Sequence, residues 1–594
     1  MYGDRKCLGW RPKGEDGTVQ TYKYWTYKET RDLAMDVAAA LMHIGVGSKG
    51  KIGVYSKNCP EWMVIIRAAD SISGTIVPIY DSLGAQAVEY VTKHSEASVV
   101  LVETDKMEPL AQSLPAFADQ LKAVVYLGKG NEDAKKLIAR SGVNLMSWDE
   151  FVSIGKQNPL DSTIPPDSED ISCIMYTSGT TGTPKGVMIS HRAIVSGIAG
   201  ALDMIEQTKI GVSEHDSLLS YMPLAHIFDR LLEDLALTIG ASVGYWQGDV
   251  KKLMDDVAEF KPTLFIAVPR ILERVCDAVE HKVAKESTIT QGIFNCGFAL
   301  KHFMLKQGFS HNISGIAVDH IVFGKVRTAL GGKVRFIVSG GAPLSAHVED
   351  FCTVCLAPVL QGYGLTETCA ASFIMLPDPR MAYSVGPPLL PTEFRLESVP
   401  ELNYDAAADP PKGEIVIRSP MLFSGYYKDE EKTKAEFDED GFFHTGDIGT
   451  ITEQGCLKII DRKKNIFKLA QGEYVAVEFI EGIYSRNENI EQIWVYGSST
   501  ESALVAIVVP KQKWKDSHPN LDDPDVKKEM LEELKKTAKD AKLKGFEMIR
   551  NVSFDPEGFT IENELMTPSM KLKRPQLKKK FENVLDAMYA EMKR

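Results

Sequence analysis

Apolar residues along this chain fall into two alternating patterns. From Lys51 onward, short β-rich runs at 52–55, 75–80, 98–103 and 123–127 read as strands, because Val, Ile and Tyr fit a pleated, buried surface. Between them, apolar positions at helical spacing over 61–72 and 85–94 predict helices. Strands alternating with helices predict a largely parallel, doubly wound α/β sheet. A second set has strands at 264–268, 334–339 and 358–361, with helices between them. The segments 413–419 and 455–460 instead predict a small antiparallel β portion at the end of a large N-terminal domain.

After Asp461 the character changes. Strands are predicted at 493–495 and 503–509, and 525–544 reads as a highly charged amphipathic helix with a solvated outer face. The expected division is a large domain over 1–460 and a smaller α+β domain over 461–594. Its boundary lies at the charged cluster Asp461-Arg-Lys-Lys464. No internal repeat is visible.

Length and charge narrow the class. A chain of 594 residues exceeds a single core, so two or more domains are expected. A net charge of −13 counts against bulk nucleic-acid binding. The basic run Lys571, Lys573, Arg574, Lys578, Lys579 and Lys580 is most simply a solvated helix face. Nine cysteines, an odd number, predict free thiols. Cys352 and Cys355 have C-x-x-C spacing without a second pair, which predicts one face of a packed helix rather than a metal site. No run of 18 uncharged apolar residues predicts a spanning helix. The first residues are not a signal peptide, and the last four, Glu-Met-Lys-Arg, carry no peroxisomal address.

The sharpest chemistry lies at 176–186. Thr177, Ser178, Gly179, Thr180, Thr181, Gly182, Thr183, Pro184 and Lys185 follow one apolar run and precede another. Glycines let backbone N–H groups crowd an anion, hydroxyls add donors, and Lys185 adds a full charge. The segment predicts a triphosphate cradle. It departs from the P-loop pattern, which needs Gly directly before Lys and a helix at once. An ordinary Gly/Thr surface turn is the bland alternative.

Four further stations stand downstream. Gly340, Gly341 and Ala342 form a small-residue turn after a strand, open to the approach of a flat ring. Gln361-Gly362-Tyr363-Gly364 frees a Tyr ring to stack, and Thr366 offers a hydroxyl. Glu367 offers a carboxylate suited to Mg²⁺. Asp447, expected at the end of a tight turn, can accept both ribose hydroxyls, and Arg462 can close over the same sugar. His226, beside apolar residues, reads by itself more as a satisfied core histidine than as a catalytic one.

The order Thr-Ser-Gly-Thr-Thr-Gly-x-Pro-Lys-Gly at 177–186 resembles the phosphate loop of the adenylate-forming enzymes. That superfamily includes acyl-CoA synthetases, aryl-CoA ligases, luciferases and peptide-synthetase adenylation domains. The stretch 440–474, with Phe-Lys-Leu-Ala-Gln-Gly-Glu-Tyr at 467–474, is closest to the eukaryotic long-chain fatty acyl-CoA synthetase branch. The resemblance runs from about Tyr24 onward. It implies a long-chain fatty acid–CoA ligase with ATP and coenzyme A as co-substrates and Mg²⁺ as cofactor. It also implies an acyl-adenylate intermediate, AMP and pyrophosphate as products, and a mobile C-terminal domain that rotates about Lys464.

Matching Lys-Leu-Lys-Arg at 571–574 to the superfamily's C-terminal motif implies that Lys571 enters the site for adenylation, with Lys573 as fallback. The residue before Lys571 is Met570 where the superfamily has Gly. The family's acyl-pocket segment implies a site role for His226.

Two alternatives remain open on the sequence. One is another adenylate-former, an aryl-CoA ligase or a fatty acyl-AMP ligase. The other is a catalytically silent fatty-acid-binding or uptake protein. A long-chain substrate makes peripheral attachment at the cytoplasmic face of a membrane such as the endoplasmic reticulum the expected setting. Oligomeric state stays open. The family usually carries several dozen residues ahead of a segment like 23–29, against about two dozen here. A leader ahead of residue 1 is therefore an expectation.

Overall fold

The computed structural model describes residues 2–14, 16–80, 85–177, 184–315, 318–471, 473–567 and 570–592. Two eight-stranded sheets dominate. In the first, the strands Ile171–Thr177, Thr75–Pro78, Lys51–Tyr55, Val99–Glu103, Ala123–Leu127 and Asn144–Ser147 run parallel in that spatial order. Lys185–Ser190 and Gly425–Tyr426 add antiparallel strands at one edge. Val99, Val100, Leu101 and Val102 are fully buried, as expected of a strand covered on both faces.

The second sheet has a parallel core of Val359–Tyr363, Phe336–Ser339, Leu264–Ala267, Ser217–Ser220, Ser242–Tyr245 and Lys6–Trp10. One continuous hydrophobic core joins helices of both sheets. Helix starts follow their capping residues. Thr26 and Ser147 each form a reciprocal box with the Glu three residues on, opening Tyr27–His43 and Trp148–Gln157.

A four-stranded antiparallel sheet, Glu393–Glu397, Lys412–Arg418, Phe443–Ile451 and Leu457–Arg462, follows the second large sheet in the chain. Beyond it, Ile490–Tyr496, Leu504–Pro510 and Ile549–Phe554 form a separate three-stranded sheet. Helices Val477–Tyr484 and Pro524–Asp540 cover one face of it, and Arg574–Met592 packs on the other. The mixed α/β class with an α+β C-terminal portion is as the hydrophobic pattern predicts. Cys352 and Cys355 lie buried on the helix Ala346–Cys355, again as predicted.

Candidate functional site: a cleft at the strand ends

Parallel strands end together, so the loops leaving their carboxyl ends gather in one place, where open α/β sheets bind ligands. Thr177 ends its strand and pairs with Lys185 across the loop connection. Ser339 ends another strand and leads into Gly340 and Gly341. A Cβ on Gly340 would press on the Phe228 ring at 3.0 Å, and Gly341 has φ +84°, so the turn is tight at the first position and favours glycine at the second. Tyr363 ends a third strand and leads through Gly364 into the short turn Thr366–Thr368, which carries Glu367. A Cβ on Gly364 would overlap the Ala370 carbonyl at 2.4 Å. Ser178, Gly179, Thr180, Thr181, Gly182 and Thr183 lie outside the described residues.

The ribose station is built differently from the sequence expectation. Asp447 does not end a tight turn. It sits within the strand Phe443–Ile451, directly across from Arg462 on the next strand. Its buried carboxylate lies 3.3 Å from the Arg462 guanidinium and accepts a hydrogen bond from the Tyr363 hydroxyl at 2.8 Å. Burial raises the Asp447 pKa, and Arg462 and Tyr363 oppose that rise. The pair and the tyrosine leave a fixed carboxylate beside a fixed guanidinium.

Lys185 is 3.9 Å from Glu436 and stands over the Tyr426 ring at 4.6 Å. The Tyr426 hydroxyl donates to Glu367 at 3.0 Å. Tyr426 thus ties the loop lysine to the candidate metal ligand, with no local sequence pattern to mark it. Burial, with Lys432 nearby, lowers the Lys185 pKa. The Glu367 carboxylate is near enough to favour the charged forms of Lys185, Arg462 and Lys571 alike. Lys464, in the turn Lys463–Asn465, lies within reach of Lys185, Arg462 and Asp447, and burial lowers its pKa.

Lys571 reaches this cleft from the C-terminal segment. Burial first, then the Arg462 charge, pushes its pKa down to about 8. Its loop closes on itself, with Thr567 and Lys571 exchanging hydrogen bonds. Three residues on, Arg574 grips Glu481 on the Val477–Tyr484 helix with two bonds, at 2.6 and 3.0 Å. Met570 has φ +60°, the left-handed conformation for which glycine is suited, and its side chain packs against both the large core and a C-terminal one. Lys573 holds the same loop through its backbone N–H, which donates to Leu565.

His226 lies close enough for Lys571 to depress its protonation, after burial, to a pKa of about 4. It caps the helix Ile227–Thr238, and its Nδ1 accepts from the Phe228 N–H at 3.3 Å. The ring is therefore neutral with its proton on Nε2. Asn58, which the sequence did not single out, anchors this loop. It accepts from Leu224 N–H and donates to Met222 and Asp229. The Gln361 side chain is bonded within the protein, donating to Glu349 at 2.7 Å, so its backbone and Gly362 are what it presents beside Tyr363.

Known proteins resemble this chain over most of its length. The AMP-binding enzyme family model matches residues 3–427. Long chain acyl-CoA synthetase 4 of Arabidopsis thaliana is 46% identical over 99% of this chain and 90% of its own length. Fatty acyl-CoA synthetase A of Dictyostelium discoideum is 39% identical over 100% of this chain and 89% of its own. The adenylation domain of a carboxylate reductase from Mycobacterium chelonae superposes with a TM-score of 0.82 at 26% identity, covering 99% of this chain and 89% of that one. The chain belongs to the AMP-binding enzyme family, in its eukaryotic long-chain acyl-CoA synthetase branch.

Proposed function

We propose that this chain activates a long-chain fatty acid with ATP and passes the acyl group to coenzyme A, releasing AMP and pyrophosphate. The observation that carries the reading is the arrival of Lys571, from the C-terminal segment, beside Glu367 and the Asp447–Arg462 pair.

A carboxylate is a poor acyl donor because its leaving group would be oxide. In the first half-reaction its oxygen attacks the α-phosphorus of ATP, the bond to pyrophosphate breaks, and a mixed anhydride forms. Negative charge develops on the phosphoryl oxygens, and fixed cations stabilise it best in a site shielded from water. Lys185 and Lys571 supply those cations from widely separated segments of the chain. Asp447 accepts the ribose hydroxyls while Arg462 and Tyr363 hold its carboxylate still. Neutral His226 presents its Nε2 proton to the fatty acid's carboxylate without adding charge to a site already rich in cations. In the second half-reaction the coenzyme A sulfur attacks the acyl carbonyl, and the bond to AMP breaks.

The donor set fits Mg²⁺ at Glu367. A carboxylate oxygen is a hard ligand, and this one stands on a short turn with the Tyr426 hydroxyl on one oxygen. Glu367 would hold the ion, which when bound neutralises phosphate charge. The division into 1–460 and 461–594, with Lys464 as hinge, belongs to the same proposal. Its support is the short turn at Lys463–Asn465 and the crowding of Lys464 with other cations. Rotation there would withdraw Lys571 and open a path for the thiol. The proposed setting is the cytoplasmic face of a membrane such as the endoplasmic reticulum, where long-chain acids concentrate.

A panel of carboxylic acids of differing length, with AMP and thioester both measured, tests the reading. Long-chain acids are expected to give AMP and thioester in equal amounts. AMP without thioester would make the protein an acyl-AMP ligase, and acid binding without AMP would make it a binding protein.

A further inference from the structure

The helix Thr288–Lys306 turns an unusual face outward. Its inner side packs into the core through Phe294 and Phe298, which lie against Phe323 and Phe351, with Gly297 and Leu305 buried. Its outer side carries Ile289, Ile293, Leu300 and Phe303, exposed by 76%, 52%, 52% and 62%. These follow the helical repeat and form one stripe, with exposed Cys296 in the gap between Ile293 and Leu300. Phe309 and Ile313, also exposed, lie just beyond the helix. A stripe from Ile289 to Phe303 is about 21 Å long at the rise of an α-helix. Isolated exposed apolar side chains are ordinary, but a contiguous row marks a contact surface.

Charge says what the surface fits. The chain holds 81 Asp and Glu among 594 residues, about one in seven, yet none stands between Glu286 and Asp319. Every exposed residue of the helix from Thr288 to Phe303 is uncharged. Exposed Lys285 and Lys306 bracket the row. A face stripped of carboxylates, on a chain with a net charge of −13, suits an anionic surface with an apolar interior. Among the described residues no helix is long and apolar enough to cross a membrane, so such a helix would lie in the interface plane.

We propose that this face seats the protein on a lipid bilayer, with Ile289, Ile293, Leu300 and Phe303 entering the boundary between headgroups and acyl chains. In part the proposal rests on the ligase reading, since a long-chain acid is drawn from such a surface. The helix packs directly on Ala346–Cys355, which follows the Gly340–Pro343 turn of the nucleotide cleft. The contact is thus one layer from the site.

The test is flotation of the purified full-length chain, without ATP or acid, with vesicles of phosphatidylcholine containing roughly three-tenths phosphatidylserine. The wild type is expected to float with the vesicles. Ile293→Asp/Phe303→Asp, and the milder Ile293→Asn/Phe303→Ser, should weaken partitioning by roughly tenfold or more. Val195→Asp, which changes an apolar residue 63% exposed elsewhere, should float like the wild type. Thioester formation from octanoate, soluble in water, should persist in all variants and reports the ligase reading separately. The proposal is overturned if the double variants float like the wild type. It is equally overturned if sedimentation velocity shows a dimer that they dissociate while vesicle binding stays absent, which would make the face an interface between copies.

Discussion

The two sides of the cleft hold their charges by opposite means. Asp447 and Arg462 face each other across a ladder of paired antiparallel strands, and the Tyr363 hydroxyl completes the pairing. Each charge has its partner before any nucleotide arrives. Lys571 sits on a loop closed by its own hydrogen bonds and latched by Arg574 to a helix of the C-terminal portion. Around it burial and Arg462 disfavour its charge more than Glu478, Asp447 and Glu367 favour it. One side is finished in advance, and the other is completed by the negative charge it comes to meet. A nucleotide bound through both half-reactions needs the first kind of site. A cation needed in only one half-reaction is better placed on the second.

Removing Lys571 should break that asymmetry most severely. Lys571→Ala is expected to slow acyl-adenylate formation by about 10²–10³-fold, the usual cost of losing one preorganised charge donor. Thioester formation from supplied acyl-AMP should fall far less. Single-turnover measurement of both half-reactions checks this, and equal losses would place Lys571 among the constant parts of the site.

Asp447→Asn is the mirror experiment. It keeps the shape but leaves the Arg462 charge without its carboxylate, at a cost of about 1.5–3 kcal/mol for a charge-assisted bond. The KM for ATP should rise roughly 10–100-fold, and both half-reactions should weaken together. A loss confined to adenylation would remove the ribose assignment.

The pH profile sharpens the same contrast. A lysine with a free-enzyme pKa of about 8 is charged below that pH and neutral above it. For adenylation, kcat/KM for ATP should therefore be level below about pH 8 and fall toward tenfold per unit above it. Lys571→Arg should lose this alkaline limb, because a guanidinium stays charged. A limb that survives in Lys571→Arg belongs to another group. Glu367→Gln removes one hard ligand, and the Mg²⁺ concentration for half-maximal adenylation should rise several-fold, on the order of 1 kcal/mol. An unchanged Mg²⁺ titration would take Glu367 out of that role.

Much of this was legible in the sequence where one segment holds the whole signal. Strands of the parallel sheets lie where β-rich runs predict them, within a few residues, and Thr177 and Lys185 frame their loop as expected. The sequence points to the wrong setting for Asp447 because Gly441 and Gly446 suggest a turn. Both have positive φ, but Gly446 kinks the backbone inside a strand whose pairing shifts register nearby. Tyr426, Asn58 and the Arg574–Glu481 latch were not legible. Each acts on a partner 59 or more residues away, and no local pattern encodes such a meeting.

Met570 offers the finest test of the loop that delivers Lys571. In the left-handed region a non-glycine residue costs about 1–2 kcal/mol, so Met570→Gly should relieve the backbone. The same change deletes a thioether side chain that touches the large core and a C-terminal core at once. These contributions oppose each other in global stability, which should change by less than about 1 kcal/mol. They do not oppose each other in placement, because the Met570 side chain ties the Lys571 loop to the large core. Adenylation should therefore fall a few-fold while the thioester step from acyl-AMP holds or quickens. If stability rises by about 1 kcal/mol and adenylation is unchanged, Met570 is merely tolerated strain, and its side chain does not position the Lys571 loop.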